Sequence, residues 1–118
     1  MNLDTAIQKH LEWKVKFRTA ISKQEQMDTA TITKDNCCDL GKWLHGEGKA
    51  QYGNLTSYAI TVNKHAAFHI EAGKVASAIN EQKYAAAETM LSGTGAFATA
   101  SSEVGIALMR FKKEAGQK

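Results

Sequence analysis

An apolar stripe at helical spacing runs through the second half of the chain and carries two histidines near its middle. Its members fall three or four residues apart, which places them on one face of an α-helix: Tyr58, Val62, His65, His69, Ala72, Ala76 and Ile79. The pattern predicts a long helix from about Leu55 to Glu81, capped by Asn54 or Thr56, with this face in a core. Two inward imidazoles one helical turn apart are suited to form half of a metal site.

Two further long helices are predicted beside this one. The first, from about Leu3 to Gln24, carries a stripe with the same period: Ala6, His10, Trp13, Phe17 and Ala20. The last begins near Gln82 and is expected to kink or to make a close helix contact at Gly93-Thr94-Gly95. It directs one set of side chains toward the core: Tyr84, Ala87, Leu91, Phe97, Val104, Leu108 and Phe111.

The segment between the first two long helices is predicted to be mostly irregular. Residues 25–36 are polar and show no sustained helical period, which indicates a connecting loop. Cys38–Leu44 is predicted to form one short helix capped by Asp35 or Asn36. Proline is absent from all 118 residues, so glycine provides the breaks. The expected fold is therefore all-α: a single domain, 1–118, forming an antiparallel bundle of about four helices, three long and one short, with the metal site in its core.

Composition narrows the class of function. The formal net charge is only +3 and is evenly spread, which argues against nucleic-acid binding. No run of about 18 apolar residues is available for membrane insertion, and the N-terminus lacks a charged leader before an apolar core. The adjacent Cys37 and Cys38 are poorly placed for a disulfide. We therefore expect a soluble protein of the cytoplasm.

Two more residues are candidates to complete the metal site. His10 lies on the apolar stripe of the first helix, and Cys38 begins the short helix, so each can approach the histidine pair from a different direction. Three imidazoles buried in one small core without a shared partner would leave several polar nitrogens unsatisfied. The residues thus predict a zinc site made from His10, Cys38, His65 and His69.

Three other interpretations of these residues remain open at this point. A hydrolase would hold zinc with the three histidines and a water, but the general base of His-Glu-x-x-His is missing. A di-iron bundle needs Glu-x-x-His, whereas Ile7, Val62 and Ala66 stand three residues before the histidines. A zinc ion that only stabilises the bundle is the third interpretation.

The cysteine block and both histidine elements together resemble the chemoreceptor zinc-binding (CZB) domain family. The resemblance covers nearly the whole chain and rests on His10-x-x-Trp13, Cys38-x-Leu40-Gly41-x-Trp43-Leu44-x-Gly46-x-Gly48 and His65-x-x-x-His69. It implies that His10, Cys38, His65 and His69 bind zinc. Members are cytoplasmic sensory modules, commonly attached to chemotaxis receptors or diguanylate cyclases, and typically work as homodimers. This chain carries neither a signalling coiled coil nor a cyclase domain, so it is either a stand-alone member or an excised domain, and its output partner is open.

The resemblance also suggests roles for residues around the ligands. Trp13, Phe17, Trp43 and Phe68 are most simply core residues, and they would also exclude water around the site and tune it. Gly41 of the cysteine block is expected to lie next to the ligands. Cys37 is expected to point away from the metal, and no catalytic residue is assigned. We hypothesise that Cys38, the one readily oxidised ligand, is a switch through which zinc or oxidant status alters the packing of a dimer.

Overall fold

The computed structural model describes residues 1–116, and these form a helical bundle with no strand among them. This confirms the predicted all-α class. The helices, in chain order, are α1 (Leu3–Leu11), α2 (Trp13–Lys23), α3 (Thr29–Thr33), α4 (Asp39–Leu44), α5 (Glu47–Tyr52), α6 (Thr56–Asn80), α7 (Tyr84–Met90) and α8 (Ala96–Glu114). None of these described helices is long and apolar enough to span a membrane.

Helix α6 is the central element, and it packs most extensively against α8. The two helices run antiparallel, because Ser57 near the start of α6 hydrogen-bonds to Glu114 at the end of α8 over 2.8 Å, while Lys64, further along, pairs with Glu103 over 3.0 Å. Twelve residues of α6 are buried, which explains why this long helix has apolar residues on more than one face.

Helices α1 and α2 together also run antiparallel to α8, and α2 packs on α6 as well. Asp4 near the start of α1 pairs with Lys112 over 2.8 Å, and the ring of Phe17 in α2 lies 5.5 Å from that of Phe97 at the start of α8. The predicted helix from Leu3 to Gln24 is thus present in two segments. They meet at Glu12, which keeps helical angles of φ −69° and ψ −16°.

Three local predictions were wrong. The predicted connection, residues 25–36, contains helix α3, and the glycine-rich segment after α4 forms α5. The last predicted helix is split into α7 and α8 by a turn that ends at Gly95, where a Cβ would lie 2.8 Å from the carbonyl oxygen of Met90. Tertiary packing stabilises these short helices, which are too short to be stable alone.

The start of α6 also differs from the prediction. Leu55 is its N-cap and makes no side-chain capping hydrogen bond, so neither Asn54 nor Thr56 caps the helix. Instead, Glu114 of α8 accepts hydrogen bonds from the backbone N–H of Ser57 at 3.3 Å and from its hydroxyl at 2.8 Å. A carboxylate from a distant part of the chain therefore satisfies a free N–H of the first turn.

Candidate metal centre

Four side chains from three parts of the fold converge in the core. His10 lies in the last turn of α1, Cys38 immediately precedes α4, and His65 and His69 lie near the middle of α6. The histidines are 5%, 0% and 2% exposed, and Cys38 is half-buried. One ligand atom of each residue lies within 4.8 Å of the others. The structure therefore brings together the four residues that the sequence proposed as ligands.

The distances between these atoms have the size of a tetrahedral zinc site. The Nε2 atom of His65 lies 3.2 Å from that of His10 and 3.0 Å from that of His69. The Cys38 Sγ atom lies 3.3, 3.5 and 4.0 Å from the Nε2 atoms of His65, His69 and His10. A tetrahedron with Zn–N of about 2.0–2.1 Å and Zn–S of about 2.3 Å has edges of about 3.3–3.6 Å.

Backbone carbonyl groups fix the orientation of two of the three imidazole rings. His10 Nδ1 lies 2.8 Å from the carbonyl oxygen of Ala6, and His69 Nδ1 lies 2.8 Å from that of Ile32. A carbonyl oxygen only accepts hydrogen bonds, so each Nδ1 carries the proton and each Nε2 of the neutral ring presents a lone pair. Two lone pairs, a third imidazole and a thiol pointing at one small volume are the donor set that Zn²⁺ prefers.

Burial keeps the imidazoles in the neutral form that binds metal. Desolvation lowers the pKa of His10 and of His69, and it lowers the pKa of His65 to about 2 with a further contribution from the neighbouring His69. Burial also raises the pKa of the Cys38 thiol, an effect that the backbone N–H of Gly41 opposes. A bound cation would deprotonate this thiol and release its proton.

Gly41 determines where the sulfur of Cys38 lies. Cys38, and not the predicted Asp35 or Asn36, is the N-cap of α4, and its Sγ accepts a hydrogen bond from the N–H of Gly41 at 3.3 Å. A Cβ on Gly41 would overlap the carbonyl oxygen of Asp35 and lie 3.1 Å from the Cα of Asn36. Only glycine lets residues 35–38 fold back against α4 and present the sulfur to the histidines.

Three of the aromatic residues predicted to surround the ligands occupy different positions relative to the cluster. Phe68 is 0% exposed, and its ring lies 5.3 Å from that of His10 and 5.6 Å from that of His69, so it packs directly on two ligand candidates. Trp13 lines a cavity beside His10. Trp43 packs against the rings of Tyr52 and Phe111, each at 5.9 Å, and so supports α4 against α8.

A cavity of about 310 Å³ gives access to one side of the cluster. Cys38 and His10 line it, together with Cys37, Trp13 and other residues of α1, α2 and α4. His65, by contrast, is fully buried. The sulfur side of the site is therefore the side that small solutes reach.

Two residues near the cluster do not take part in it. Cys37 donates a weak hydrogen bond from its Sγ to the Asn36 side chain at 3.6 Å. His45 is exposed and pairs with Asp35 over 3.0 Å. Neither belongs to the group of residues whose ligand atoms converge.

Sequence reasoning missed the groups that orient the ligands. The carbonyls of Ala6 and Ile32 are backbone atoms, which no residue type marks, although the four-residue spacing of Ala6 and His10 permits such a bond within one helical turn. His65 Nδ1 is the one buried side-chain nitrogen or oxygen of the described residues without a hydrogen-bond partner. His65 is thus held by packing and not by a hydrogen bond to its Nδ1.

The fold and this cluster together define an all-α domain in which three buried imidazole nitrogens and one half-buried sulfur are potential metal ligands. The model of the family described as the chemoreceptor zinc-binding domain matches residues 10–76, which is more than half of the chain and includes all four residues. The chain belongs to this family. No curated protein and no solved structure matches it in the other two comparisons.

Proposed function

We propose that this domain binds one Zn²⁺ through His10, Cys38, His65 and His69 and reports zinc or oxidant status to a signalling partner. The observation that carries the proposal is the convergence of three Nε2 atoms and one Sγ atom in the core, with ring tautomers suited to a cation. Zinc, when bound, links α1, α4 and α6 at one centre and stabilises Cys38 as a thiolate.

A closed site supports a sensory role better than a hydrolytic one. Cys38 Sγ stands 3.3–4.0 Å from the three Nε2 atoms, at the corner where a hydrolase keeps its water. With three neutral imidazoles and one thiolate, the centre would carry a net charge of about +1. Loss of the single thiolate would therefore change both the charge and the coordination of the site.

Cys38 is the proposed point at which an oxidant acts. It is half-buried and lines the cavity described above, so a hydroperoxide can reach its sulfur. The thiolate attacks the peroxide oxygen that carries the proton, so that an S–O bond forms as the O–O bond breaks and the sulfur is oxidised by two electrons to sulfenic acid. The second oxygen leaves as alkoxide or hydroxide and takes a proton from solvent to give an alcohol or water. The sulfur then binds zinc weakly, and α4 is released from α1 and α6.

The proposed output is a change at the surface of a homodimer in the cytoplasm, passed on to a chemotaxis or cyclic-di-GMP signalling component. Two pairs of large apolar side chains support an interface with a second copy. Leu11 and Val15 on α1 and α2 are 54% and 66% exposed, and Ile106 and Met109 on α8 are 54% and 62% exposed.

Metal content and mass in solution test the proposal together. We expect one zinc per chain and twice the chain mass, and we expect the cobalt-substituted protein to show a sulfur-to-cobalt charge-transfer band. Cys38→Ser should lose this band and weaken zinc binding, whereas Cys37→Ser, the matched control, should retain both. Hydroperoxide treatment should release zinc from the wild type and from Cys37→Ser.

Three results would contradict the proposal. A wild-type protein without tightly bound zinc would refute the metal site. Identical metal binding by both serine variants would refute the role of Cys38. Zinc retention by a protein whose Cys38 is fully oxidised would refute the switch and leave zinc with a structural role.

A further inference from the structure

The orientation of His69 depends on helix α3, which contributes no side-chain ligand. The carbonyl oxygen of Ile32 in α3 accepts the hydrogen bond from His69 Nδ1 at 2.8 Å. This bond fixes the proton on Nδ1 and directs Nε2 toward the cluster. The position of α3 relative to α6 therefore sets the direction of one ligand atom.

The carbonyl of Ile32 cannot move independently of Thr33. The peptide unit that joins the two residues is planar, so the Ile32 carbonyl and the Cα of Thr33 move as one rigid group. Thr33 in turn lies directly on Gly73, one helical turn beyond His69 on α6. A Cβ on Gly73 would overlap the Thr33 hydroxyl and would lie 3.0 Å from the Cβ and 3.3 Å from the Cα of Thr33.

The far end of the same segment is also held. Asn80, at the end of α6, accepts a hydrogen bond from Met27 N–H at 2.8 Å and donates to the Met27 carbonyl and the Thr29 hydroxyl at 2.8 Å each. With this end fixed, the short helix cannot slide along α6 as a whole. A push at Thr33 is therefore taken up by its own peptide unit, which includes the acceptor of His69.

We infer that Gly73 is a positioning residue of the metal centre: by lacking a side chain, it places Thr33 and the Ile32 carbonyl so that His69 Nε2 points at the metal. The inference rests on the proposed zinc site but concerns a residue that binds no metal itself. Hydrogen-bond partners of metal-binding histidines typically contribute about 10–100-fold to metal affinity. Gly73→Ala should therefore weaken zinc binding by about 10-fold or more.

The experiment combines zinc affinity with a spectrum of the metal-free protein. The variants are Gly73→Ala, the control Gly105→Ala, and Gly73→Ala with Thr33→Gly, which removes the side chain that the new Cβ would strike. Gly105 lies inside helix α8, and a Cβ there would meet nothing within 4 Å. Zinc competition titration gives the affinity, and ¹⁵N NMR of the imidazoles reports the protonation and hydrogen bonding of His69 Nδ1.

We expect Gly73→Ala to weaken zinc binding and to shift the His69 Nδ1 resonance in the metal-free state. Gly105→Ala should match the wild type in both measurements, and the double variant should regain most of the lost affinity. A Gly73→Ala protein that unfolds more easily but has wild-type affinity and a wild-type His69 resonance would overturn the inference. Gly73 would then serve only the packing of α3.

Two further outcomes remain informative. If Gly73→Ala does not fold, Thr33→Val makes a milder push at the same contact, and a wild-type His69 resonance and affinity in that variant would also overturn the inference. If the wild type binds no zinc, the proposed function fails, but the metal-free NMR comparison still tests whether Gly73 orients His69.

Discussion

The buried histidines make the stability of the metal-free domain depend on pH in a calculable way. The pKa of His65 falls from 6.5 to about 2 on folding because burial penalises the charged ring. Below pH 6.5 the unfolded chain therefore binds a proton that the folded chain does not, so acid favours unfolding. The stability that the metal-free domain has with His65 neutral is therefore fully present above pH 6.5 and is lost as the pH falls below that value.

The size of the effect follows from the unfolded titration alone. Between pH 7.5 and 5.5 a group with an unfolded pKa of 6.5 changes the free energy of unfolding by about 1.4 kcal/mol if it stays neutral in the folded state. His65 meets this condition, and the lowered pKa values of His10 and His69 act in the same direction. The loss for the whole domain should therefore exceed about 1.4 kcal/mol.

Urea unfolding of chelator-treated protein at pH 7.5, 6.5 and 5.5 measures this loss. The free energy of unfolding should fall by more than about 1.4 kcal/mol across the series, and His65→Gln should reduce the difference by about that amount. Asp28, whose pKa is lowered by hydrogen bonds from Thr31, acts in a more acidic range and does not interfere. An unfolding free energy that stays constant from pH 7.5 to 5.5 would refute the reasoning.

One glycine variant and one asparagine variant, each with a control, test the framework around the site. Gly41→Ala should lower the free energy of unfolding by about 1–3 kcal/mol and weaken zinc binding, because its Cβ would overlap the Asp35 carbonyl. The control Gly105→Ala should cost no stability, since a Cβ there meets nothing within 4 Å. Equal unfolding free energies for the two variants would contradict this. Asn80→Ala should cost about 1–3 kcal/mol because its three hydrogen bonds hold the segment before α3, and the exposed Asn63→Ala on the same helix is the control; equal denaturation midpoints for the two would contradict this.

Much of the bundle was readable from periodicity. In the stripe of α6, His65, His69, Ala72, Ala76 and Ile79 are all buried. The inward positions predicted for the last helix include Leu91, Phe97, Val104, Leu108 and Phe111, which are buried as well. Spacing of this kind reports a helix face directly, since the period belongs to the helix and not to its neighbours.

The wrong predictions concern short elements and helix ends. Helix α3 has five residues and only Ile32 buried, so it carries too little pattern to be seen in a polar stretch. The cap of α4 was assigned to Asp35 or Asn36 because carboxylate and amide groups are the usual caps, but the sulfur of Cys38 takes that position. Glu114, near the end of the described chain, accepts a hydrogen bond from Ser57 N–H in the first turn of α6. No local sequence pattern predicts a contact between residues so far apart in the chain.

The sequence by itself determined which residues share a helical face and which four side chains can bind a metal: His10, Cys38, His65 and His69. Only the tertiary structure decided that their ligand atoms meet within 4.8 Å, and that the carbonyl of Ile32 orients one of them. Side-chain chemistry and helical period are local properties written in residue types. Backbone carbonyls occur at every position, so the sequence could not show which one orients a ligand. The close approach at Gly73 exists only once α3 has packed on α6, so it could not be predicted either.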